Sequence, residues 1–145
     1  MANTRAQQQI AKWTREHWLP TQLGIQFDQR PVALSTGGQY RFDAVSRDGG
    51  TVVCLSTSAA RTAGGKLGIG KMTKIRSDLY FLLLAHANRR LVLFTEQEMH
   101  AQWLKERELG RVPESIEFHF VELPQDLRTD LEASRAVASR EVSPG

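Results

Sequence analysis

The sequence predicts a mixed α/β (α+β) domain: a central mixed sheet flanked by helices, in the order α-β-β-β-α-β-α-β. Three observations predict it. A helical apolar stripe near the N-terminus gives way after Gly24 to short runs rich in valine, phenylalanine and threonine. A glycine-rich loop then leads into a long segment, 71–87, whose apolar residues recur at helical spacing. The remainder alternates a short apolar run, a helical segment and a second short run.

Each element has its own signal. Thr4 followed three residues later by Gln7 has the form of a capping box, and Ala6, Ile10, Trp13 and Trp18 keep the stripe, so a helix is expected over 4–18. Pro20 disfavours helical geometry in the residue before it and is expected to end that helix. Strand-like runs come next, at 24–27, 32–34, 40–46 and 51–58. The last two form the clearest hairpin, because Asp48-Gly49-Gly50 between them tolerates positive φ. On the long helix, Met72, Ile75, Leu79, Leu82 and Leu83 share one face, and Arg89 and Arg90 lie where positive charge suits a helix C-terminus. Leu91 to Phe94 reads as a buried strand, and Thr95 with Glu98 has the spacing of a capping box opening a helix to Leu109, stopped by Gly110. Residues 116–123 alternate as a last strand with Ile116, Phe118 and Phe120 on one side, ended by Pro124. A single α/β domain is thus expected over 1–124. Residues 125–145, with Leu127 and Leu131 as their one clear apolar pair, are expected to form a short polar helix and a flexible tail.

Composition narrows the function classes. The chain has 145 residues, 41% hydrophobic and 24% charged, which is one ordinary domain. At that size it buries roughly two thirds of its unfolded surface and needs neither metal nor disulfide to fold. The single cysteine, Cys54, excludes an internal disulfide and a cysteine-rich zinc site, and it suits a reducing compartment. Its neighbours in Val52-Val53-Cys54-Leu55 make it a core residue, and no histidine sits at a spacing that would activate it. No apolar run approaches the roughly 18 residues of a membrane span, and the N-terminus lacks the layout of a signal peptide. The expectation is a cytoplasmic protein with no membrane partner.

Net charge is +3, but its distribution is uneven: residues 61–90 carry +6, residues 1–60 carry +2 and residues 91–145 carry −5. Within the middle section, Thr62 to Lys74 combines four glycines with three lysines just ahead of the long helix. Glycines let backbone N–H groups approach phosphate oxygens, the helix N-terminus adds positive potential, and lysines neutralise charge. Arg61, Lys66, Lys71, Lys74 and Arg76 are therefore candidate phosphate contacts, with nucleic acid, DNA foremost, as the partner. The competing interpretation is a solvated loop whose lysines aid solubility. Tyr80 and Phe81 come only after the lysines, which favours backbone contact over base stacking. Trp13 and Trp103 have core spacing, and Trp18 is expected to be partly exposed. Gly65, four residues, then Gly70-Lys71 approximates the phosphate loop of nucleotide triphosphatases. Met72 stands where that loop needs a hydroxyl for magnesium, so nucleotide hydrolysis is set aside.

A second constellation lies in the hairpin. Asp43 sits between apolar neighbours in Phe42-Asp43-Ala44-Val45, while Cys54 and Ser56, two apart on the next strand, share a face. This order of helix, hairpin and long basic helix, over residues 4–123, resembles the core of the restriction-endonuclease-like, or PD-(D/E)XK, nuclease superfamily. The resemblance implies that Asp43 matches the superfamily's first metal-binding, catalytic aspartate. It also implies that Cys54 falls at the second carboxylate and Ser56 at the lysine. A thiol is a poor magnesium ligand and a serine hydroxyl carries no charge. These departures imply a degenerate, non-cleaving member that binds nucleic acid without a cofactor. Two alternatives stand beside it. One is a magnesium-dependent nuclease in which Glu16, Asp78, Lys66, Lys71 or Lys74 replaces the missing groups around Asp43. The other is an interaction module whose basic section docks an acidic partner, or the acidic last third of a second copy in a homodimer.

Overall fold

The computed structural model describes residues 5–62 and 64–142. Thr4, and with it the expected first capping box, lies outside the described residues, as do residues 143–145 of the expected tail. The first helical run continues past Pro20: α1 (Arg5–Trp13) passes through a π-helical stretch (Thr14–Trp18) into α2 (Leu19–Leu23). Proline lacks an N–H and crowds the preceding turn of an α-helix. The wider stretch before it absorbs both problems, with the Leu19 N–H donating to the Thr14 carbonyl five residues back. The helix ends instead at Gly24, whose φ of 74° closes a left-handed cap.

Five strands, β1 (Phe27–Asp28), β4 (Ala44–Ser46), β5 (Thr51–Ser56), β6 (Arg89–Phe94) and β7 (Ile116–Phe120), form the main sheet in that spatial order. β1, β4 and β5 pair antiparallel, whereas β5, β6 and β7 run parallel, so the sheet is mixed. β2 (Pro31–Ala33) and β3 (Gln39–Arg41) make a separate two-stranded ribbon. The run 40–46 is therefore not one strand. It breaks at Phe42 and Asp43: Phe42 turns into the core, and the Asp43 carboxylate takes over a ladder bond by accepting the Leu55 N–H at 2.7 Å. The β4–β5 hairpin closes as its sequence dictates. Gly49 adopts φ 80°, and Asp48 Oδ1 accepts the Gly50 N–H and the Ser46 hydroxyl.

The period of two along each strand sends residues to opposite faces. Val45, Val52, Cys54, Val92 and Phe94 pack with α3 (Ile69–Leu84) and α4 (Gln97–Glu108) on one face. Ala44, Val53, Leu91 and Leu93 pack with Ile10, Leu19 and Leu131 of the N- and C-terminal helices on the other. Helices thus flank both faces of a mixed sheet. On α3, Met72, Ile75, Leu79 and Leu82 face the core as expected, but Leu83 is 44% exposed and Asp78 lies on the inner face. Arg90, although in β6, donates to the Leu82 and Ala85 carbonyls and caps the end of α3. The helix after Thr95 forms without the expected capping box. Glu96 is its N-cap with no side-chain cap bond, and the Thr95 hydroxyl donates to Glu96 Oε2 instead. Gly110, at φ 76°, terminates it.

The C-terminal segment is an 18-residue helix, α5 (Gln125–Val142), lying against α1. Leu131 is fully buried there, Leu127 packs against the same core, and Arg128 and Arg135 both reach Glu96 just beyond the end of β6. No described helix is long and apolar enough to cross a membrane.

Candidate functional site

A cleft of about 660 Å³ opens at the C-terminal end of β5, between α1 on one side and α3 on the other. In sheets of this kind the ends of parallel strands lie beside helix N-termini, so this is where backbone amides and side chains from several elements converge. Leu55, Ser56, Thr57 and Ser58 form one wall, Gln7 and Arg15 reach in from the N-terminal helical run, and Gly70, Lys71, Lys74 and Asp78 line the α3 side. Asp43 lines it as well.

The polar groups are held rather than loose. Asp43 accepts the Leu55 N–H, and the Arg15 Nη1 donates to the Asp43 carbonyl at 3.2 Å. Lys74 donates to both oxygens of Asp78, at 3.1 Å each, across one helical turn. The Lys74 side chain is 67% exposed while that of Asp78 is 5% exposed, so the ammonium is the part of the pair a ligand would meet. Burial pushes the Asp43 carboxyl above the usual aspartate range, opposed by the Leu55 N–H, Lys74 and Arg15. It does the same to Asp78, opposed chiefly by Lys74. Burial works against the Lys74 charge too, but Asp78 and Asp43 outweigh it and hold the ammonium protonated above its ordinary value.

The loop before α3 is a small hairpin of its own. Thr62 and Lys66 pair through their backbones, Gly65 turns the chain at φ 81°, and the Gly68 N–H donates to the Ala60 carbonyl. Gly68 is the N-cap of α3 and makes no side-chain cap bond to the first turn. Lys71, in that turn, donates to the Arg61 carbonyl at 3.3 Å. Burial, with Arg135 as a like charge nearby, pulls the Lys71 pKa below its ordinary value.

The sequence-derived candidates separate into groups. Asp43, Ser56, Lys71 and Lys74 line the cleft, and Asp78 joins them from the replacement candidates. Arg61 and Lys66 lie on the exposed loop beside it, and Glu16 lies outside the lining. Cys54 is in the core, where burial, with Asp78 and Asp43 adding to it, pushes the thiol well above its ordinary pKa. Arg76 belongs to another surface: its guanidinium bonds Glu106 at 3.3 Å and stands 5.4 Å from the Trp103 ring centroid. Trp103 is buried, Trp13 is partly buried against the other core, and Trp18 is half-buried as well.

Two cations at the site come from distant parts of the chain. Arg15 belongs to the π-helical stretch, and Arg135 of α5 donates to the Thr57 carbonyl on the cleft wall. Neither has a local motif. The Lys74–Asp78 pair, by contrast, is announced by its spacing of four on a helix. Among the described residues no group of three or more histidine, cysteine, aspartate or glutamate side chains converges as a metal site.

No family model, curated protein or solved structure matches this chain.

Proposed function

We propose that this protein binds nucleic acid on a restriction-endonuclease-like fold, holding backbone phosphates at the cleft without cleaving them. The observation that carries the reading is the convergence of Arg15, Lys71 and Lys74 with the first turn of α3 in one open cleft. Phosphate oxygens suit that arrangement, since they accept from backbone amides and from point-charge ammonium groups at once. A phosphate beside Lys71 also relieves the repulsion from Arg135. The fold assignment is supported by the helix, hairpin and long basic helix that surround Asp43.

The site chemistry favours binding over hydrolysis. Magnesium wants several hard oxygen ligands in near-octahedral array. Asp43 and Asp78 are the carboxylates at this cleft; one Asp43 oxygen is engaged by Leu55, and both Asp78 oxygens are engaged by Lys74. Cys54 brings no oxygen, and Ser56 brings only a hydroxyl. The donor set does not fit a magnesium ion.

The test is fluorescence anisotropy of labelled duplex and single-stranded DNA at about 50 and about 200 mM salt without divalent metal. Binding that weakens steeply with salt, and weakens further in Lys71→Ala, is expected. No binding of either DNA form at low salt would overturn the reading. Magnesium-dependent cleavage that disappears in Asp43→Asn would replace it with the nuclease alternative.

A further inference from the structure

Asp43 and Asp78 come from different parts of the chain, yet both line this one cleft with Lys74, and the Asp43 charge opposes ionisation of Asp78. Two such groups, drawn out of water, repel unless a cation stands with them. In sites that handle phosphodiesters that cation is commonly a divalent metal, which neutralises the phosphate and its surrounding carboxylates together. Here the positive charge is covalent. Lys74 reaches Asp78 with equal distances to both oxygens, and its charge also acts on Asp43. Its side chain is largely exposed, so the same ammonium can face an incoming anion.

We infer that Lys74 is the resident cation of this cleft, the shared counter-ion of the Asp43 and Asp78 carboxylates in the role of a divalent ion. The native cleft accordingly has no affinity for divalent metal at this pair, because an ion arriving there would meet a fixed positive charge. Removing that charge frees both Asp78 oxygens beside Asp43, on which Arg15 still acts, and freed carboxylate oxygens are the ligands that hard cations bind. Metal alone serves as the probe, so failure of the nucleic-acid reading leaves this assignment standing or falling on its own result.

The experiment compares manganese binding, read by the loss of the free-ion electron paramagnetic resonance signal, in the native protein, Lys74→Met and Lys74→Met/Asp78→Asn. Lys74→Met keeps the length of the stem without the charge, and circular dichroism establishes that each variant is folded. The expected result is one manganese ion bound at least about tenfold more tightly by Lys74→Met than by the native chain, and lost again in the double variant. Lys74→Gln serves in its place if Lys74→Met does not fold. Manganese binding by the native protein that is abolished in Asp43→Asn would overturn the inference. So would a folded Lys74→Met or Lys74→Gln that binds no more manganese than the native chain.

Discussion

The Leu55 backbone N–H donates to Asp43 Oδ2 at 2.7 Å, tying the break before β4 to the end of β5 in the lining of the cleft. Asp43 therefore has a structural task beside its electrostatic one. Asp43→Ala leaves that amide without its partner and is expected to cost about 1–3 kcal/mol. Asp43→Asn keeps an acceptor oxygen and removes a charge that burial penalises, so it is expected to be at least as stable as the native protein at neutral pH. Urea denaturation of both variants checks the order.

The pH dependence of stability carries two opposite signatures. Asp43 and Asp78 have folded pKa values raised above the ordinary 3.8, so the folded chain holds their protons more tightly. Stability from these groups is highest below that value and falls as pH rises through the folded values. Glu117 is the reverse. Two hydrogen bonds from Arg89 at 2.8 Å each, with His119 at 3.0 Å, outweigh its burial and lower it to about 2. Its contribution is present above 4.5 and lost as pH falls toward about 2. Because this pair is largely in water, screening reduces the effect to about 1 kcal/mol or less. Glu117→Gln is expected to flatten the acid limb, and Asp43→Asn to flatten the limb of opposite slope, in urea midpoints measured against pH.

Lys71 and Arg76 both lie on α3 but serve different surfaces. Lys71→Ala is expected to weaken DNA binding and reduce the slope of log affinity against log salt by about 0.9, the value for one phosphate contact. Arg76→Ala is expected to leave binding unchanged while costing about 1 kcal/mol, since the buried Glu106 then keeps Arg111 alone as its cationic partner among the described residues. Anisotropy and denaturation on the same two variants separate the roles.

How far the sequence reveals this molecule depends on the range of the interaction. The period-two runs and the α3 stripe are local signals, so the succession from α3 through β6 and α4 to β7 and the alternation of Val52, Val53, Cys54 and Leu55 between faces can be read from them, whereas the sequence order counts three strands ahead of α3 and the fold has five. The β4–β5 turn is legible for the same reason. Pro20 misleads because a π-helical stretch removes the conflict that proline creates, and that stretch has no distinct signature. Thr95 misleads because α4 starts one residue later than its spacing implies: Glu96 is the N-cap, and the Thr95 N–H still donates to the Ser56 carbonyl at the end of β5. At the site, Lys74 and Asp78 are legible by spacing, whereas Arg15 and Arg135 arrive from 28 and 78 residues away from the groups they touch. No local pattern encodes such meetings.

The same long reach makes α5 integral to the cleft. Glu96 accepts from Arg128 at 2.8 Å and from Arg135 at 3.1 Å, while Arg135 also donates to Thr57 on the cleft wall. Burial alone would raise Glu96, but Arg135, Thr95 and Arg128 pull it below the usual glutamate range, so it stays ionised as the anchor. Leu131 lies between these arginines in sequence and is buried in the core beside Ile10 of α1, so Leu131→Ala is expected to cost about 2–5 kcal/mol. Arg135→Ala is expected to cost less overall but to loosen Thr57 and Ser58 specifically, since it frees a strand end rather than emptying core volume. Amide hydrogen exchange distinguishes the two: Leu131→Ala lowers protection across β5 and β6 together, and Arg135→Ala lowers it at the end of β5 alone. Equal loss of protection throughout the sheet in Arg135→Ala would show that this side chain supports the whole fold and not the cleft wall.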